Sequence, residues 1–512
     1  MSVLGQPGAL DHTFSNNGLV RTALGTSCNA NDVKVQADGR IVAAGSYTTS
    51  SNKTNLLVVR YKTDGTLDNT FAGGDGEQGI SLEQYAAATS LALQPDGKIV
   101  ASGIAAGNLY QPEATVVRLN ADGSGDNTFG TGGKLIITGV LAGQTNSVAV
   151  QADGKIVIAG STSQYQNGAF RVFRLNTNGS FDNSFGSNGI FTINPEPNDI
   201  TYSVHLAIQP DGKVTVCGTM AKVTLGTGVS YNPKAVLFRL NNNGTLDTDF
   251  GTNGIVFQTA GTADYTTVSS IALQADNKIV VGGGYKTGTS PKTHFLVMRF
   301  NTNGTPDNTF AGNGRTGIAF TNAANLNAIA IQADGSIVAC GYVDSNTDDD
   351  FCLARLLPDG TPDTHFGTAG TGRITTGFGY IDYANGVALQ PDGKIVAAGK
   401  SGSDMALSRY LVASPPSVRL LPYATDTNSI PEHQRKLMLY PNPASTTLML
   451  DGLDLQSINE LSITDATGKT LQKTQVPFST QTRIATSSLV PGIYFLQVTT
   501  NGKTTTLQFV KK

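Results

Sequence analysis

One phrase recurs seven times along this chain, and that internal repeat restricts the possible folds more than any other feature of the sequence. A copy such as VAVQADGKIVIAG (148–160) has alternating apolar residues, a Gln, an Asp-Gly turn and a second apolar run that ends in Gly. Successive copies lie 57 to 65 residues apart, and seven copies in register indicate a repeat architecture. The Gln residues that mark the copies are Gln36, Gln94, Gln151, Gln209, Gln274, Gln332 and Gln390.

Each repeat predicts four short antiparallel strands. In the third repeat, alternation predicts a strand before the turn, and 155–160, 170–176 and 189–193 follow as the second, third and fourth strands. The Asp-Gly turn is typical of a tight hairpin, because Gly adopts the positive φ that such turns need. Seven four-stranded units predict an all-β fold, a seven-bladed β-propeller. An open solenoid is the alternative, and ring closure decides between the two.

The two ends of the repeat array complement each other. Residues 9–24 contain a fourth strand without the first three, and residues 404–411 form a third strand without a fourth. We therefore expect strand 18–24 to complete the last blade beside 404–411, so that neither sheet edge is exposed. The propeller domain is predicted to span residues 1–411.

The array resembles the delta-sixty repeat family of bacterial propellers over residues 8–411. The resemblance rests on the phrase quoted above and on a second one that follows each copy, of which LNTNGSFDNSFGSNG (175–189) is an example. This second phrase contains an Asn/Asp-Gly turn and then Asp-x-x-Phe. The resemblance implies a propeller fold and no particular activity, because the family shares no established one.

Charged residues recur at three positions of the repeat: an Arg that ends the third strand, an Asp in the hairpin, and an Asp three residues before a Phe. A catalytic group is needed once, so we interpret groups present in all seven blades as architectural, with carboxylates that cap turns or pair with Arg. Calcium held by Asp-Gly-x-x-Asp loops such as 64–68 is the alternative. Asn178 and Asn243 replace the first Asp in two copies, which argues against calcium there.

The loops that differ between repeats indicate where a ligand binds, because binding residues concentrate on variable loops held by a rigid frame. The leads into the inner strands carry polar and aromatic residues that suit a glycan, another polyol or a protein ligand, although ordinary loop composition explains them too. These candidate ligand-binding residues are Asp32, Asn146, Tyr202, Tyr265, Asn327, Asp382, Tyr383 and Asn385. An acidic cluster in one loop is a candidate calcium site, with a solvated acidic loop as the alternative: Asp344, Asp348, Asp349 and Asp350.

Signatures of catalysis are weak in this sequence. The five His residues show no metal-ligand spacing, and the chain has no G-x-S-x-G elbow and no Gly-rich phosphate loop. We therefore assign no catalytic residue and no cofactor, with calcium as the one ion that the sequence suggests. The four Cys residues follow no zinc pattern. Cys340 and Cys352 are placed to face each other across one hairpin, which permits a disulfide.

Composition argues against two classes of partner. The chain has 35 Lys and Arg against 38 Asp and Glu, a formal charge of −3 with no basic stripe, which disfavours nucleic acid. No apolar run reaches the roughly 18 residues that indicate a membrane span. The opening MSVLGQPGALD shows neither the charged n-region nor the apolar h-region of an export signal.

The composition changes after residue 411. Residues 412–436 contain four of the 20 Pro residues and no periodicity, which predicts a linker. Residues 437–512 show short alternating runs separated by turns, which predict a small β-sandwich.

Residues 437–512 are similar to the type A C-terminal sorting domain of the type IX secretion system of Bacteroidetes. The motif residues that carry this resemblance are Pro441, Asn442, Pro443, Gly468, Pro491, Gly492, Tyr494, Gly502, Lys511 and Lys512. The resemblance implies passage through the outer membrane, the secretion machinery as a partner, and a secreted or cell-surface location.

Two classes of function follow from these observations. The sequence favours a secreted or surface-displayed propeller of unknown ligand that acts as a binding or scaffold module. The alternative is an exported enzyme, a hydrolase or lyase with its site in the propeller funnel.

Overall fold

The structure is a computed structural model that divides into two compact units, Met1–Val418 and Arg419–Lys512. In the first unit it describes residues 6–107, 112–138, 145–162, 168–197, 199–224, 230–260, 265–286, 292–344, 348–367 and 370–412. In the second unit it describes residues 438–440, 447–451, 458–465, 469–474, 482–487, 489–490, 492–500 and 503–511. The described part of the chain contains no helix long and apolar enough to cross a membrane.

The first unit is built from 28 described strands and one short 3-10 turn, Ala72–Gly74, which lies between β4 and β5 once the strands are numbered in chain order. The strands are β1 (Leu19–Thr22), β2 (Ser27–Val35), β3 (Ile41–Thr48), β4 (Thr54–Tyr61), β5 (Glu77–Ile80), β6 (Tyr85–Leu93), β7 (Ile99–Ala106), β8 (Glu113–Leu119), β9 (Lys134–Ile137), β10 (Thr145–Val150), β11 (Ile156–Ser161), β12 (Phe170–Leu175), β13 (Ile190–Ile193), β14 (Ile200–Ile208), β15 (Val214–Thr224), β16 (Ser230–Leu240), β17 (Ile255–Gln258), β18 (Tyr265–Leu273), β19 (Ile279–Lys286), β20 (His294–Phe300), β21 (Arg315–Ile318), β22 (Ala324–Ile331), β23 (Ile337–Val343), β24 (Asp350–Leu356), β25 (Arg373–Thr376), β26 (Asp382–Leu389), β27 (Ile395–Ser401) and β28 (Asp404–Tyr410).

These strands form seven four-stranded antiparallel blades, which confirms the predicted all-β propeller fold. Blades one to six take their strands in chain order, β2–β5, β6–β9, β10–β13, β14–β17, β18–β21 and β22–β25. Blade seven contains β26, β27 and β28, and its outer strand is β1 from the start of the chain. The first two blades also share one parallel pair, Thr54 with Tyr85.

The N-terminal fragment closes the ring by direct pairing. Strand β1 runs antiparallel to β28, with Leu19 opposite Ser408. Arg409 on β28 then takes its carboxylate partner from the same fragment, because its Nε donates to Asp11 Oδ2 at 2.9 Å. This pairing covers the outer edge of β28, which would otherwise be exposed.

The hydrophobic core is divided into layers between neighbouring blades. One cluster joins Val157 and Val172 of blade three to Leu206 and Phe238 of blade four. Strand β11 is buried along its whole length, as expected for a strand covered on both faces. Each blade therefore depends on both of its neighbours for burial.

The recurring Arg and Asp residues connect each blade to the next, which confirms the structural interpretation. Arg174 donates from Nε to Asp182 Oδ2 at 2.7 Å and from Nη2 to Ser184 Oγ at 3.2 Å. Its guanidinium lies 4.6 Å from the centroid of the buried Phe185, and Nη1 donates to the carbonyl of Asn242 in the following blade. The seven pairs are Arg60–Asp68, Arg118–Asp126, Arg174–Asp182, Arg239–Asp247, Arg299–Asp307, Arg355–Asp363 and Arg409–Asp11.

The hairpin Asp residues cap their own turns. In each blade the Asp Oδ1 accepts the backbone N–H two residues later, as from Lys155 to Asp153 at 3.1 Å. The glycine between them, Gly154, has a φ of 83°, and Asn277 adopts a φ of 62° at the one position where Gly is replaced. In the loop 64–68, which the sequence offered as an alternative calcium site, Asp64 accepts hydrogen bonds from the backbone N–H and the hydroxyl of Thr66.

All four cysteines are buried and free. The hairpin register places Cys352 opposite Gly341 and Cys340 opposite Leu353. The two thiols are thus offset by one residue, and because side chains alternate along a strand they point to opposite faces of the sheet. The prediction that Cys340 and Cys352 face each other, and so could form a disulfide, is therefore wrong.

The second unit contains two sheets, ordered β29-β30-β33 and β32-β31-β34-β35. Their strands are β29 (Met438–Tyr440), β30 (Thr447–Asp451), β31 (Ile458–Asp465), β32 (Thr470–Thr474), β33 (Thr482–Ala485), β34 (Gly492–Thr500) and β35 (Lys503–Lys511). One hydrophobic cluster contains Leu448 and Ile484 from the first sheet and Ile463 and Leu496 from the second. Two sheets around a shared core form the small β-sandwich that the alternation predicts.

Three of the sorting-motif residues lie in the described part of this sandwich. Gly492 begins β34 opposite Lys511. Tyr494 is buried, its ring lies 5.7 Å from that of Phe509, and its hydroxyl donates to the carbonyl of Val490 at 2.8 Å. The remaining motif residues lie outside the described residues: Pro441, Asn442, Pro443, Gly468, Pro491, Gly502 and Lys512.

Candidate functional site

A polar cavity of about 220 Å³ lies where the seven inner strands meet. Each inner strand carries a β-bulge at the corresponding place, and a bulge redirects a side chain locally. Asn31, Thr89, Ser269, Asn327 and Asn385, which lie at these bulges, line the cavity. The ring of blades thus gathers residues that are more than 350 positions apart in the sequence.

Three of the candidate ligand-binding residues, Asp32, Asn327 and Asn385, line this cavity together. The two amides hold neighbouring blades together: Asn327 Nδ2 donates to the carbonyl of Ala384 and Asn385 Nδ2 to that of Ala30, each at 2.8 Å. Their donors are therefore used within the protein, and these side chains stabilise the ring.

The carboxylate of Asp32 is also occupied by protein groups. Its Oδ1 accepts the N–H of Val33 at 2.8 Å and the ammonium of Lys34 at 2.7 Å, and its Oδ2 accepts the N–H of Leu91 at 2.8 Å. A carboxylate with these partners stabilises the contact between blades one and two. It is poorly suited to act as a general base, because its lone pairs already accept hydrogen bonds.

Two residues of the cavity depart from the repeat and were missed by the sequence interpretation. Lys34 occupies a position that holds Ala in the other six blades, and His205 occupies the position of Ser90 in blade two. Burial lowers the pKa of His205 to about 4, against an opposing effect from the charge of Asp32, so the imidazole is neutral at pH 7. An alignment of the seven repeats would have identified both residues as departures from the repeat.

A second group of polar side chains lies on the variable-loop face between blades six and seven. Carboxylate oxygens of Asp348, Asp350 and Asp382 all lie within 4.8 Å of one another, and we call this group the acidic pocket. Burial and the neighbouring carboxylates, among them Asp348, raise the pKa of both Asp350 and Asp382. Of the four acidic residues that formed the sequence candidate, Asp344 and Asp349 are outside this group, and Asp382 joins it from the next blade.

Tyrosines lie beside the acidic pocket. The rings of Tyr342 and Tyr383 meet edge to face, with centroids 4.6 Å apart. A hydrogen bond to Asp349, together with burial, raises the pKa of Tyr383 to about 12. Tyr265 is near enough to Tyr342 to contribute to the raised pKa of that tyrosine, after the larger effect of burial. The ammonium of Lys286 lies 4.6 Å from the ring centroid of Tyr265. We call Tyr265, Tyr342 and Tyr383 the tyrosine group.

The last two candidates lie elsewhere. Tyr202 is half-buried on the inner strand of blade four, opposite Thr219. The side chain of Asn146 lies outside the described residues. The predicted binding residues are therefore divided between the central cavity and the loop face.

The fold and the two units define a class: a seven-bladed β-propeller followed by a small C-terminal β-sandwich. Family comparison agrees with both parts. Residues 438–512 match the secretion system C-terminal sorting domain. Seven segments match the β-propeller family described as a domain of unknown function (DUF5122), at residues 36–71, 94–129, 151–185, 209–250, 274–310, 332–366 and 390–412. The chain therefore contains seven repeats of this propeller family, followed by a secretion-system sorting domain.

Solved structures resemble the chain at low identity. PorZ, a surface component of the type-IX secretion system of Porphyromonas gingivalis, is 12% identical with a TM-score of 0.35, over 94% of this chain and 59% of PorZ. The polysaccharide lyase Uly1 is 9% identical with a TM-score of 0.44, over 77% of this chain and 91% of the lyase. A protein of unknown function from Dyadobacter fermentans is 10% identical with a TM-score of 0.40, over 77% and 99% of the two chains. Comparison with curated proteins finds no match.

Proposed function

We propose that this chain is an exported β-propeller that presents a binding surface outside the cell and is delivered there by its C-terminal domain. The observation that carries the proposal is the sorting domain at 438–512, which follows a closed propeller. A domain of this family is read by the secretion machinery, so the machinery is the partner of the second unit. The propeller is then the part of the chain that acts at the destination.

The division of polar groups within the propeller supports a binding role. The charges that recur in every blade are used to join blades, and the cavity amides Asn327 and Asn385 are used in the same way. The tyrosine group, in contrast, is not repeated in all seven blades, although Tyr265 has a counterpart in Tyr85 and Tyr383 has one in Tyr202. It lies on the variable-loop face. Half-buried aromatic rings beside carboxylates present an apolar surface together with hydrogen-bonding groups, a combination that suits the faces and hydroxyls of a glycan.

The test is a binding screen of the purified full-length chain on a glycan array, followed by titration of any hit. We expect Tyr383→Ala to weaken binding at least tenfold, because it removes one ring of the Tyr342–Tyr383 pair. Tyr47→Ala is the matched control, since Tyr47 packs against Gly79 of the outer strand in blade one. Equal binding by both variants would contradict the loop-face site. Cleavage of the bound glycan would support the alternative of an exported hydrolase or lyase.

A further inference from the structure

The acidic pocket has the dimensions of a cation site. Asp348 precedes β24 of blade six, Asp350 is the first residue of that strand, and Asp382 is the first residue of β26 in blade seven. Their carboxylate oxygens lie within 4.8 Å of one another. Two oxygens that bind the same Ca²⁺ ion at about 2.4 Å are at most about 4.8 Å apart, so these separations are compatible with one ion shared by the three groups.

Asp382 provides an independent indication that something positive belongs in the pocket. Its side chain is completely buried, and its Oδ2 accepts the backbone N–H of Phe378 at 2.7 Å. Its Oδ1 is buried as well and has no hydrogen-bond partner among the described residues. The hydroxyl of Ser401, the cross-strand neighbour, is near enough to oppose the rise that burial causes in the pKa of Asp382, but its geometry does not meet that of a hydrogen bond to Oδ1. A buried carboxylate oxygen without a partner, facing two further carboxylates, is unfavourable unless a positive charge compensates it.

We propose that Asp348, Asp350 and Asp382 bind one Ca²⁺ ion that joins blade six to blade seven. Three carboxylates and no imidazole or thiol favour a hard cation. Ca²⁺ fits better than Mg²⁺, because Mg²⁺ retains several waters and is usually held by only one or two carboxylates. Asp349 is directed to Tyr383 instead, through the hydrogen bond to its hydroxyl.

The ion would stabilise the blade in which the two ends of the repeat array meet. Strand β26 belongs to the same blade as β1, which is the strand that the N-terminal fragment supplies. The backbone N–H of Asp382 already donates to the carbonyl of Asp349 at 2.6 Å, so the two blades meet at this point without the ion. A bound Ca²⁺ would add a second connection there, whether or not the loop face binds a glycan.

The experiment uses the full-length chain after treatment with EDTA. We expect added Ca²⁺ to raise the melting temperature by a few degrees, because an ion that binds the folded state alone stabilises it. Asp382→Asn and Asp350→Asn should each abolish this rise. Asp344→Asn is the matched control, since it removes an exposed carboxylate of the same loop and should keep the full rise.

Terbium gives a second measurement that does not depend on the stability of a variant. The chain contains no Trp, and Tyr383 lies beside Asp349 next to the pocket, so Tb³⁺ in the pocket should show tyrosine-sensitised emission that Ca²⁺ removes. The proposal is wrong if the wild-type chain shows neither a calcium-dependent melting temperature nor this emission. It is also wrong if Asp382→Asn responds like the wild type, or if Mg²⁺ competes with Tb³⁺ as well as Ca²⁺ does.

Discussion

At the scale of residues, the repeated Arg, Asp and Phe side chains form one structural unit in every blade. The Arg guanidinium lies over the Phe ring and donates hydrogen bonds to the Asp and to a carbonyl of the next blade. It therefore contributes both to packing and to the hydrogen bonding of buried polar groups. In blade three the Asp also forms an ion pair with the Lys that precedes the second strand: Lys155 Nζ lies 3.0 Å from Asp182 Oδ2. The unit is therefore a buried network, in which loss of one member leaves others without partners.

We expect Arg174→Ala to reduce the free energy of unfolding by about 1–3 kcal/mol, because it leaves a buried carboxylate and a carbonyl without their donor. Urea denaturation monitored by circular dichroism measures the change. The control is Arg315→Ala, which removes an exposed hydrogen bond to the carbonyl of Thr259 and should cost less than about 0.5 kcal/mol. Equal losses for the two variants would show that the recurring Arg has no special role.

The same network predicts how stability depends on pH. Burial opposes ionisation of Asp11, but hydrogen bonds from Thr13 and Lys394 and the charge of Arg409 outweigh it and lower its pKa to about 2. The other six Asp residues of the network also have lowered pKa values. Because the unfolded value is about 3.9, these carboxylates contribute stability above that pH and lose it as the pH falls toward 2.

The expected outcome is that the free energy of unfolding falls between about pH 4 and pH 2, and falls less steeply in Asp11→Asn than in the wild type. Urea unfolding at pH 7, 4 and 3 measures both slopes. A variant slope equal to that of the wild type would mean that Asp11 contributes nothing to the acid sensitivity.

Sequence alone predicted the role of the recurring charges, because their presence in all seven blades is incompatible with a group needed once. It named Asp348 and Asp350 as part of a candidate calcium site, but it did not place Asp382 beside them. Asp382 lies 32 positions after Asp350, and only the packing of blade seven against blade six brings the two together. It also assigned Asn327 and Asn385 to ligand binding, whereas bulges in the inner strands direct both amides to a neighbouring carbonyl.

At the scale of elements, β1 is the strand on which ring closure depends. Its four residues pair with β28, and Val20 is buried in the cluster that joins blades one and seven. The sequence predicted this pairing, because one end of the repeat array has a fourth strand without the first three and the other end has a third strand without a fourth. The bulges of the inner strands were not predicted, because no complementary pattern of this kind marks them in the sequence.

Deletion of residues 1–24 should expose the edge of β28 and cause aggregation, because an unpaired edge is a template for further strands. Size-exclusion chromatography and thermal melting measure the effect. Val20→Asp tests the same strand in the full-length chain, since a buried charge there should also lower the melting temperature. A soluble deletion variant with an unchanged melting temperature would contradict the closing role of β1.

At the scale of the whole molecule, the chain combines a closed ring with a domain that contributes no described strand to that ring. The ring accounts for seven family matches and the C-terminal sandwich for the eighth. The sorting motif could be recognised in the sequence from its Pro, Gly and Tyr residues among short alternating runs. Of these residues, the structure describes Gly492 at the start of β34 and the buried Tyr494. The sequence does not identify a ligand, because a binding site would depend on side chains that are not repeated in every blade and on how neighbouring blades place them.

The central claim is that residues 437–512 deliver the propeller, and export measures it most directly. The full chain and a chain that ends at residue 436, each with a signal peptide supplied, are expressed in a Bacteroidetes host with an active type IX system. Cell-surface, medium and periplasmic fractions are then compared, with a periplasmic marker as control. We predict that the full chain reaches the surface or the medium and that the truncated propeller stays folded in the periplasm. Arrival of the truncated propeller at the surface or in the medium would contradict the account.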